Sequence, residues 1–388
     1  MKTAIVYDRV NKWGGAEQVL LALHEIFPQA PLYTAIYSSE KASWAKVFPQ
    51  VIPSFLQKIP YLNQRHELLG TFTPLAFETF NFDDYDLVIS ATSEAAKGII
   101  TKPGTRHICY CLTPTRYLWS GYEEYFKGPA FKGIAYPAVS YLRKWDRIAA
   151  YRPDTMIAIS KAVQTRIKKY YGRDSQIIYP PVDIKKFKVK SETLPAGRQG
   201  SKFKTTTKNL KLDNSPSTIH RPPNTDYYLV VSRLVPYKRV DLAISAFNEL
   251  GLPLVVVGTG SEEKELRKLA KRNVEFAGFV NDSELIKYCK GAKALIHPQD
   301  EDFGITPVEA QAAGCPVVAF RAGGALDTVV EGKTGVFFDK QTVKSLISAV
   351  RVFEKKKFEK SDLVENAKRF SKEKFITDFK KLIENGKR

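Results

Sequence analysis

Apolar runs and amphipathic stretches alternate along the first part of the chain. The run from Thr3 to Tyr7 is followed, after the loop DRVNKWGG, by a segment whose apolar residues recur at helical spacing. Further apolar runs at 87–90, 107–112 and 156–160 each precede a loop, and a helical pattern through Lys169 follows the last of them. Strands that alternate with helices predict a parallel sheet that is covered on both faces.

The same alternation restarts at residue 227. Apolar runs at 227–232, 252–258, 294–298, 316–320 and 335–338 indicate strands, and helical patterns cover 242–250 and 262–271. We therefore predict two α/β domains, at 1–187 and 227–388. The Lys-rich pattern from Arg351 onward predicts a helical segment with one face exposed to solvent. We expect that the final helix can pack back against the N-terminal domain.

Residues 188–226 break both patterns. They carry eight Lys or Arg and three Asp or Glu, with few large apolar side chains and no sustained period. Such a segment buries too little apolar surface to order itself, so we interpret it as a flexible basic linker or insertion. An arm that binds nucleic acid is the weaker interpretation, because no aromatic residues are interleaved for base stacking.

Composition adds a constraint from charge. The chain has 60 Lys and Arg against 41 Asp and Glu, a formal net charge of +19. This excess favours a polyanionic partner, such as a nucleotide, a nucleic acid or an acidic membrane surface. The four cysteines form no CxxC pair and no zinc-ligand spacing, so we expect reduced, buried thiols.

The apolar runs also bear on location. None is long enough to span a bilayer, and the first is too short for the apolar region of a signal peptide. We expect a cytoplasmic protein whose contact with a membrane, if it has one, is peripheral, on the inner face of the cell membrane.

Two motifs lie where predicted strands end. GGAE at 14–17 enters the first helix, and glycines there let backbone N–H groups approach an anion, although most such turns are structural. VSRLVPYKR at 231–239 places Arg233 and Lys238 at the carboxyl end of a strand, where open α/β sheets bind ligands. Two cations there fit a diphosphate, and a solvated basic loop is the alternative. Neither motif matches a dinucleotide or Walker-type ATP loop.

EDFGITPVE at 301–309 places two carboxylates on either side of a turn. Thr306, Pro307 and Glu309 fit a capping box, with Thr306 as N-cap and Glu309 at the third helical position. Glu301 precedes the turn and has no such local role, so it is the stronger candidate for a ligand contact. DED at 300–302 is similar to the DxD signature of metal-dependent enzymes, but no further oxygen ligands cluster near it in the sequence. We expect no metal and no cofactor.

Together these segments resemble the retaining glycosyltransferase family 4, over nearly all of the chain outside 189–226. The most specific stretch is EDFGITPVEAQAAGCPVVAFRAGGALDTVVEGKTGVFF at 301–338, which is similar to the E-x7-E signature of that family. YCLTPTRYLW at 110–119 and GGALDTVVEGKTG are similar to bacterial mannosyltransferases of surface-polysaccharide assembly. The resemblance implies a GT-B fold, in which two Rossmann-like, doubly wound domains face a cleft. It also implies a metal-independent, retaining hexosyltransferase that moves mannose from GDP-mannose to a glycan or a lipid-linked acceptor.

The resemblance further implies roles for single residues. Glu301, Arg233 and Lys238 would be catalytic, because the two cations would clamp the donor diphosphate while Glu301 contacts hydroxyls of the donor sugar. The glycines of GGAE would lie beside the diphosphate and the sugar, and backbone groups of residues 304–306 would contact the diphosphate. Backbone groups of residues 279–280 would contact the base, and the Glu309 side chain would contact the ribose. The implied donor-binding set is Gly14, Gly15, Arg233, Lys238, Phe279, Val280, Glu301, Phe303, Gly304, Ile305, Thr306 and Glu309.

Several alternatives stay open. Leu112 occupies the position where related sequences often have a histidine over the sugar. Because a leucine side chain cannot hydrogen-bond a donor hydroxyl, a protein that binds a nucleotide sugar without catalysis is one alternative. A UDP-sugar such as UDP-glucose is the other donor class. A sugar-nucleotide epimerase and a nucleic-acid-binding protein both lack a supporting motif. The segment 54–69 mixes apolar and basic residues, which suits either an anionic membrane surface near a lipid-linked acceptor or an ordinary amphipathic surface helix.

Overall fold

The computed structural model describes residues 1–59, 71–126, 128–187 and 226–385. Seven parallel strands form the first sheet, in the spatial order β3-β2-β1-β4-β5-β6-β7. Every residue of β1 and of β4 is buried, because helices cover both faces of the sheet. In chain order the strands are β1 (Thr3–Tyr7), β2 (Leu32–Thr34), β3 (Val51–Pro53), β4 (Leu87–Thr92), β5 (Arg106–Cys111), β6 (Thr155–Ala158) and β7 (Gln176–Ile177).

Six parallel strands form the second sheet, in the order β10-β9-β8-β11-β12-β13. The strand order reverses between β8 and β11, which pair with Leu229 opposite Leu295. This is the Rossmann order, and ligands of such sheets bind outside the carboxyl ends of the strands at the reversal. The strands are β8 (Tyr227–Val231), β9 (Leu254–Val257), β10 (Val274–Gly278), β11 (Ala292–His297), β12 (Val317–Phe320) and β13 (Gly335–Phe338).

Helices connect the strands, and several begin and end at residues that favour those positions. The helix at 161–171 begins after Ser160, whose hydroxyl accepts from the Val163 N–H, and ends at Gly172 with φ +69°. The helix at 282–291 begins with a capping box made by Asn281 and Glu284. The helices are α1 (Gly15–Ile26), α2 (Thr73–Glu78), α3 (Tyr122–Tyr125), α4 (Pro129–Ala149), α5 (Lys161–Tyr171), α6 (Val240–Leu250), α7 (Glu263–Leu269), α8 (Asp282–Gly291), α9 (Ile305–Ala312), α10 (Ala325–Thr328), α11 (Val343–Glu354), α12 (Lys360–Lys368) and α13 (Lys372–Asn385).

The last helix lies on the first sheet's side of the molecule. Phe375 and Phe379 of α13 pack against Tyr110 of β5, and the Arg106 guanidinium donates to two carbonyls near the end of α13. Lys372 pairs with Glu25 of α1 at 2.7 Å. The chain therefore crosses back from the second sheet to the first, and its C-terminal helix shares the first core.

The prediction of two doubly wound parallel sheets is confirmed. The predicted strands at 3–7 and 335–338 have the observed bounds. Strands β2, β3, β7 and β10, helices α2, α3, α4, α8 and α10, and most of α11 were not predicted. Almost all of the predicted linker at 188–226 lies outside the described residues, as does most of the segment 54–69. Of the helices that the structure describes, none has the length and apolar character that crossing a membrane requires.

Candidate functional site

The predicted cations and carboxylates meet at the point where the second sheet reverses its strand order. Arg233 and Lys238 follow β8, and the stretch from Gln299 to Gly304 follows β11, the neighbouring strand. Because parallel strands end at the same edge of the sheet, the two loops face one another there. The fold alone therefore brings together residues that are more than sixty positions apart in sequence.

Lys238 and Glu301 form a direct ion pair at this edge, and both side chains are largely buried. Burial lowers the pKa of Lys238 to about 7, with contributions from the neighbouring Arg233 and Arg116, while the negative charge of Asp302 opposes that shift. Arg233 is exposed, and its guanidinium donates to the Tyr237 hydroxyl at 2.7 Å. The loop after β8 thus carries two cations in different surroundings: Lys238 is largely buried beside the Glu301 carboxylate, and Arg233 is exposed to solvent.

His297, the last residue of β11, is a site residue that the sequence analysis missed. Its Nε2 lies 3.9 Å from Glu301 Oε2, and Gln299 Nε2 lies 3.0 Å from its Nδ1. Within the described ranges, His297 Nε2 is a buried atom without a hydrogen-bond partner. Burial and the nearby Lys238 lower the pKa of His297 to about 3, so the ring is neutral at working pH. With the Gln299 amide donating to Nδ1, the single ring proton sits on Nε2 and faces the Glu301 carboxylate.

Asp302 connects the two halves of the molecule. Its carboxylate accepts from Arg116, which follows β5, at 2.7 Å, and also pairs with Arg166 of α5. Its carbonyl accepts from the hydroxyl of Ser160, the N-cap of α5. Asp302 is therefore paired with two arginines of the N-terminal half.

The neighbouring Asp300 packs against Gly323, and burial raises its pKa. In the part of the chain that the structure describes, no group of three His, Cys, Asp or Glu side chains is placed to hold a metal ion. The four cysteines are free and buried.

Helix α9 does not begin as predicted. It starts at Ile305 with Gly304 as N-cap, at φ +84°, so Thr306 is the second helical residue and the predicted capping box is wrong. The left-handed backbone at Gly304 admits no ordinary side chain without strain, and a Cβ there would lie 3.4 Å from both Glu301 Oε2 and His297 Nε2. The turn therefore begins the helix two residues earlier than the Thr-Pro pattern predicts.

Glu309 consequently lies in the second turn of α9, where its carboxylate accepts from no backbone N–H of the described residues. Instead its Oε1 is 3.0 Å from the Lys186 ammonium, which also contacts Asp282 at 3.3 Å. Burial raises the pKa of Glu309, and Lys186 opposes the shift. Glu309 is thus tied to the N-terminal half by a buried ion pair, and its implied contact with a ribose stays a prediction.

The glycine loop after β1 lies against the start of α9. A Cβ on Gly15 would be 2.7 Å from Ile305 Cδ1, so glycine at this position lets the loop approach the helix. Gly14 is the N-cap of α1 in an extended conformation, and a Cβ there would lie 3.2 Å from Glu17 Oε2. Two predicted donor-binding segments, 14–15 and 304–306, are therefore brought together across the two halves.

The remaining predicted residues lie in differing surroundings. Phe279 is 82% exposed beyond the end of β10, and Val280 is half-buried against the second core. Phe303 is buried against Tyr179 and Phe370, so its side chain serves the core. Leu112, directly after β5, packs on the first core, and its N–H donates to the Thr92 carbonyl.

Known protein sequences are similar to parts of this chain. Residues 213–370 match the family model described as "Glycosyl transferases group 1". A GDP-mannose-dependent alpha-(1-6)-phosphatidylinositol monomannoside mannosyltransferase of Mycobacterium tuberculosis is 30% identical over 217 residues, which cover 51% of each chain. A glycogen synthase of the same organism is 34% identical over 134 residues, which cover 32% of each chain. The chain spans about half the length of the curated mannosyltransferase that it matches.

Solved structures are similar over the whole length. The Anabaena protein Alr3699/HepE, solved in complex with UDP-glucose, is 20% identical, with a TM-score of 0.67 and coverage of 99% of this chain and 100% of that one. The lipopolysaccharide glycosyltransferase WaaG is 18% identical, with a TM-score of 0.60 and coverage of 95% of both chains. At these identities the similarity concerns the fold, and it confirms the predicted GT-B arrangement.

Proposed function

We propose, from the match of residues 213–370 to the family model described as "Glycosyl transferases group 1", that this chain is a glycosyltransferase that transfers a hexose with retention of configuration. The proposed donor is GDP-mannose and the proposed acceptor is a glycan or a lipid-linked glycan. The observation that carries the proposal is the Lys238–Glu301 pair at the strand-order reversal of the second sheet. The mannose assignment is supported by the similarity to mycobacterial GDP-mannose-dependent enzymes.

Donor binding would exchange the partners of this pair. A diphosphate entering between β8 and β11 attracts the ammonium of Lys238 and the guanidinium of Arg233, and its negative charge favours the protonated form of Lys238. Glu301 is then released to accept hydrogen bonds from hydroxyls of the sugar. Before the donor binds, Lys238 and Glu301 neutralise each other's buried charge. The bound donor then replaces this pairing with the diphosphate for Lys238 and the sugar hydroxyls for Glu301.

The chemical step follows from the charges that develop. The bond between the anomeric carbon and the phosphate oxygen breaks, so positive charge grows on the sugar and negative charge on the diphosphate. Lys238 and Arg233 stabilise the leaving group, which is the larger electrostatic contribution. In a front-face displacement the acceptor hydroxyl bonds to the same carbon from the side of the leaving group, and its proton passes to the departing phosphate oxygen. The configuration is thereby retained without a protein nucleophile.

His297 has a positioning role in this scheme. Its neutral ring directs an N–H at the Glu301 carboxylate from a buried position. Once Lys238 turns to the diphosphate, this N–H is the group left to hold the carboxylate in one orientation against the sugar. The cations already present make a metal ion unnecessary in the proposed step.

Two specific observations favour alternatives. The structural neighbour Alr3699/HepE was solved with UDP-glucose, which supports a UDP-sugar as the second donor candidate. Leu112 cannot hydrogen-bond a donor hydroxyl, which supports a binding protein with little or no turnover.

The test is calorimetry with GDP-mannose, UDP-glucose and UDP-GlcNAc, each with and without EDTA, followed by donor-hydrolysis and transfer assays with a panel of acceptors. We expect GDP-mannose to bind with unchanged affinity in EDTA and to be turned over with retained configuration. Binding without turnover would favour the non-catalytic alternative. Binding of no sugar nucleotide would refute the proposed function.

A further inference from the structure

The loop that carries Glu301 lies between β11 and α9 and has no helix or strand of its own, so contacts with its neighbours fix the direction of the carboxylate. The Glu301 carbonyl accepts from the Gly324 N–H at 2.7 Å. Gly323 approaches the same carbonyl so closely that a Cβ there would lie 2.1 Å from its oxygen. Both glycines belong to the loop between β12 and α10, so the C-terminal half holds the backbone of Glu301 from one side.

Residues of the N-terminal half hold the next residue, Asp302. One oxygen of its carboxylate accepts from the Arg116 guanidinium at 2.7 and 3.2 Å, and the other oxygen accepts from Arg166 of α5. Its carbonyl accepts from the Ser160 hydroxyl. We call Asp302 with these three partners the Asp302 bridge. The Asp302 side chain is only 17% exposed, and hydrogen bonds between charged groups are short and directional, so the bridge fixes both the backbone and the side chain of the residue that follows Glu301.

The start of α5 is itself held against the C-terminal half. The Lys161 N–H donates to the Asp327 carboxylate at 2.9 Å, and the Tyr179 hydroxyl donates to the same carboxylate at 3.1 Å. Tyr179 also packs against Phe303, the residue after Asp302. The loop after β5, helix α5 and the segment after β7 thus all contact residues 302–303 of the loop that carries Glu301.

The direction of the Glu301 carboxylate therefore depends on contacts from both halves of the molecule. We propose that Asp302 is a positioning residue: by bridging to Arg116 and Arg166 it directs the neighbouring Glu301 carboxylate at the hydroxyls of the donor sugar. This inference rests on the proposed function, in which Glu301 contacts that sugar. It adds a dependence of the transfer rate on α5, which belongs to the other half of the molecule.

The experiment compares Arg166→Met, Asp302→Asn and the double variant with the wild type, by steady-state kinetics and by calorimetric titration of GDP. Arg166→Met should lower kcat by about ten- to hundredfold, because a misplacement of about 1 Å in an active site can cost about a hundredfold in rate. Its affinity for GDP should stay within about twofold of the wild type, since the bridge acts on the sugar side of the site. The double variant should have the kcat of Asp302→Asn, because both changes break the same contact. Independent, additive losses would overturn the proposal.

Lys168→Met is the matched control, because Lys168 lies on the same helix and pairs with Asp174 at the exposed surface, at 2.8 Å. It should keep the kcat of the wild type. Arg166→Lys should recover part of the activity that Arg166→Met loses, since the bridge uses one terminal nitrogen of Arg166. Thermal unfolding identifies a purely structural role: if kcat, GDP affinity and thermal stability fell together in Arg166→Met, the proposal would be overturned. Equal kcat in Arg166→Met and Lys168→Met would also overturn it.

Hydrogen exchange of the full chain tests the bridge without turnover. In Arg166→Met, peptides that contain Lys161 and Gly324 should exchange faster than in the wild type, and peptides of β9 should exchange at the same rate. The N–H groups of these two residues donate to Asp327 and Glu301, in the contacts that the bridge supports. Wild-type protein that turns over no nucleotide sugar would refute the proposed function, and faster exchange would then still show that the bridge holds the loop. Unchanged exchange at Gly324 would overturn the bridge itself.

Discussion

Replacing His297 tests how the site holds Glu301. Asparagine retains a polar group near the Nδ1 position beside Gln299 but has none at the Nε2 position. Glutamine places an amide N–H near the Nε2 position and loses the group beside Gln299. The pair His297→Asn and His297→Gln therefore separates the two edges of the ring.

The size of the effect follows from the geometry. The 3.9 Å between His297 Nε2 and Glu301 Oε2 is too long for a hydrogen bond, and an approach of about 1 Å would form one. A hydrogen bond to a charged group contributes about 1.5–3 kcal/mol. Since each 1.36 kcal/mol is tenfold in rate, His297→Asn should lower kcat by about ten- to hundredfold if this bond forms in the transition state. His297→Gln should recover most of that loss.

The assay is steady-state release of the nucleoside diphosphate, with kcat and KM determined separately, and calorimetric titration of GDP. We expect both variants to bind GDP within about twofold of the wild type, because the contact concerns the sugar side of the site. Thermal unfolding serves as the control, because a purely structural histidine would make stability and activity fall together in both variants. Equal activity of the asparagine and glutamine variants, whether both low or both normal, would refute the reasoning.

Three further predictions address the charged groups. Glu301→Ala should reduce turnover far more than GDP affinity, whereas Arg233→Ala should weaken both, and equal, mild effects in calorimetry and kinetics would contradict the assigned roles. The affinity for GDP should fall by up to about tenfold per pH unit above pH 7, because the pKa of Lys238 is lowered to about 7 and the side chain loses its charge there. Calorimetry at several pH values should show that Lys238→Met removes this dependence. Lys97→Met should lower the free energy of unfolding by about 3–5 kcal/mol in urea titrations, because it leaves the buried charge of Asp146 without its cation. Adding Asp146→Asn should restore part of this loss. An unchanged free energy of unfolding in Lys97→Met would show that the ion pair does not stabilise the fold.

The strands were predictable because their periodicity is local and their burial is nearly complete. Every residue of Leu87–Thr92 and all but the first residue of Arg106–Cys111 are buried, as expected of strands that are covered on both faces. Helix α4 was missed because it contains Gly133 and Pro137, two residues that disfavour the interior of a helix. The start of α9 was misplaced because the left-handed Gly304 serves as N-cap, where the sequence offers Thr306 as the more usual one.

Site residues were predictable to the extent that they lie on motifs at strand ends. Arg233, Lys238 and Glu301 stand out because charged residues follow apolar runs at one edge of a parallel sheet. His297 gave no such indication, since a single histidine inside an apolar strand is as a rule part of the core. Its one available signal is the pairing with Gln299, two residues on, which places both side chains on the same face of an extended segment.

The sequence by itself determined the alternation of strands and helices in two α/β units and the motifs at the strand ends, because spacing along the chain decides which side chains share a face. The tertiary structure alone decided which charges neutralise one another. Asp302 pairs with Arg116 and Arg166, and Glu309 pairs with Lys186, across separations of more than a hundred residues. Coulomb attraction and desolvation depend on distance and burial in space, and neither is encoded in the local pattern that identifies a strand or a helix.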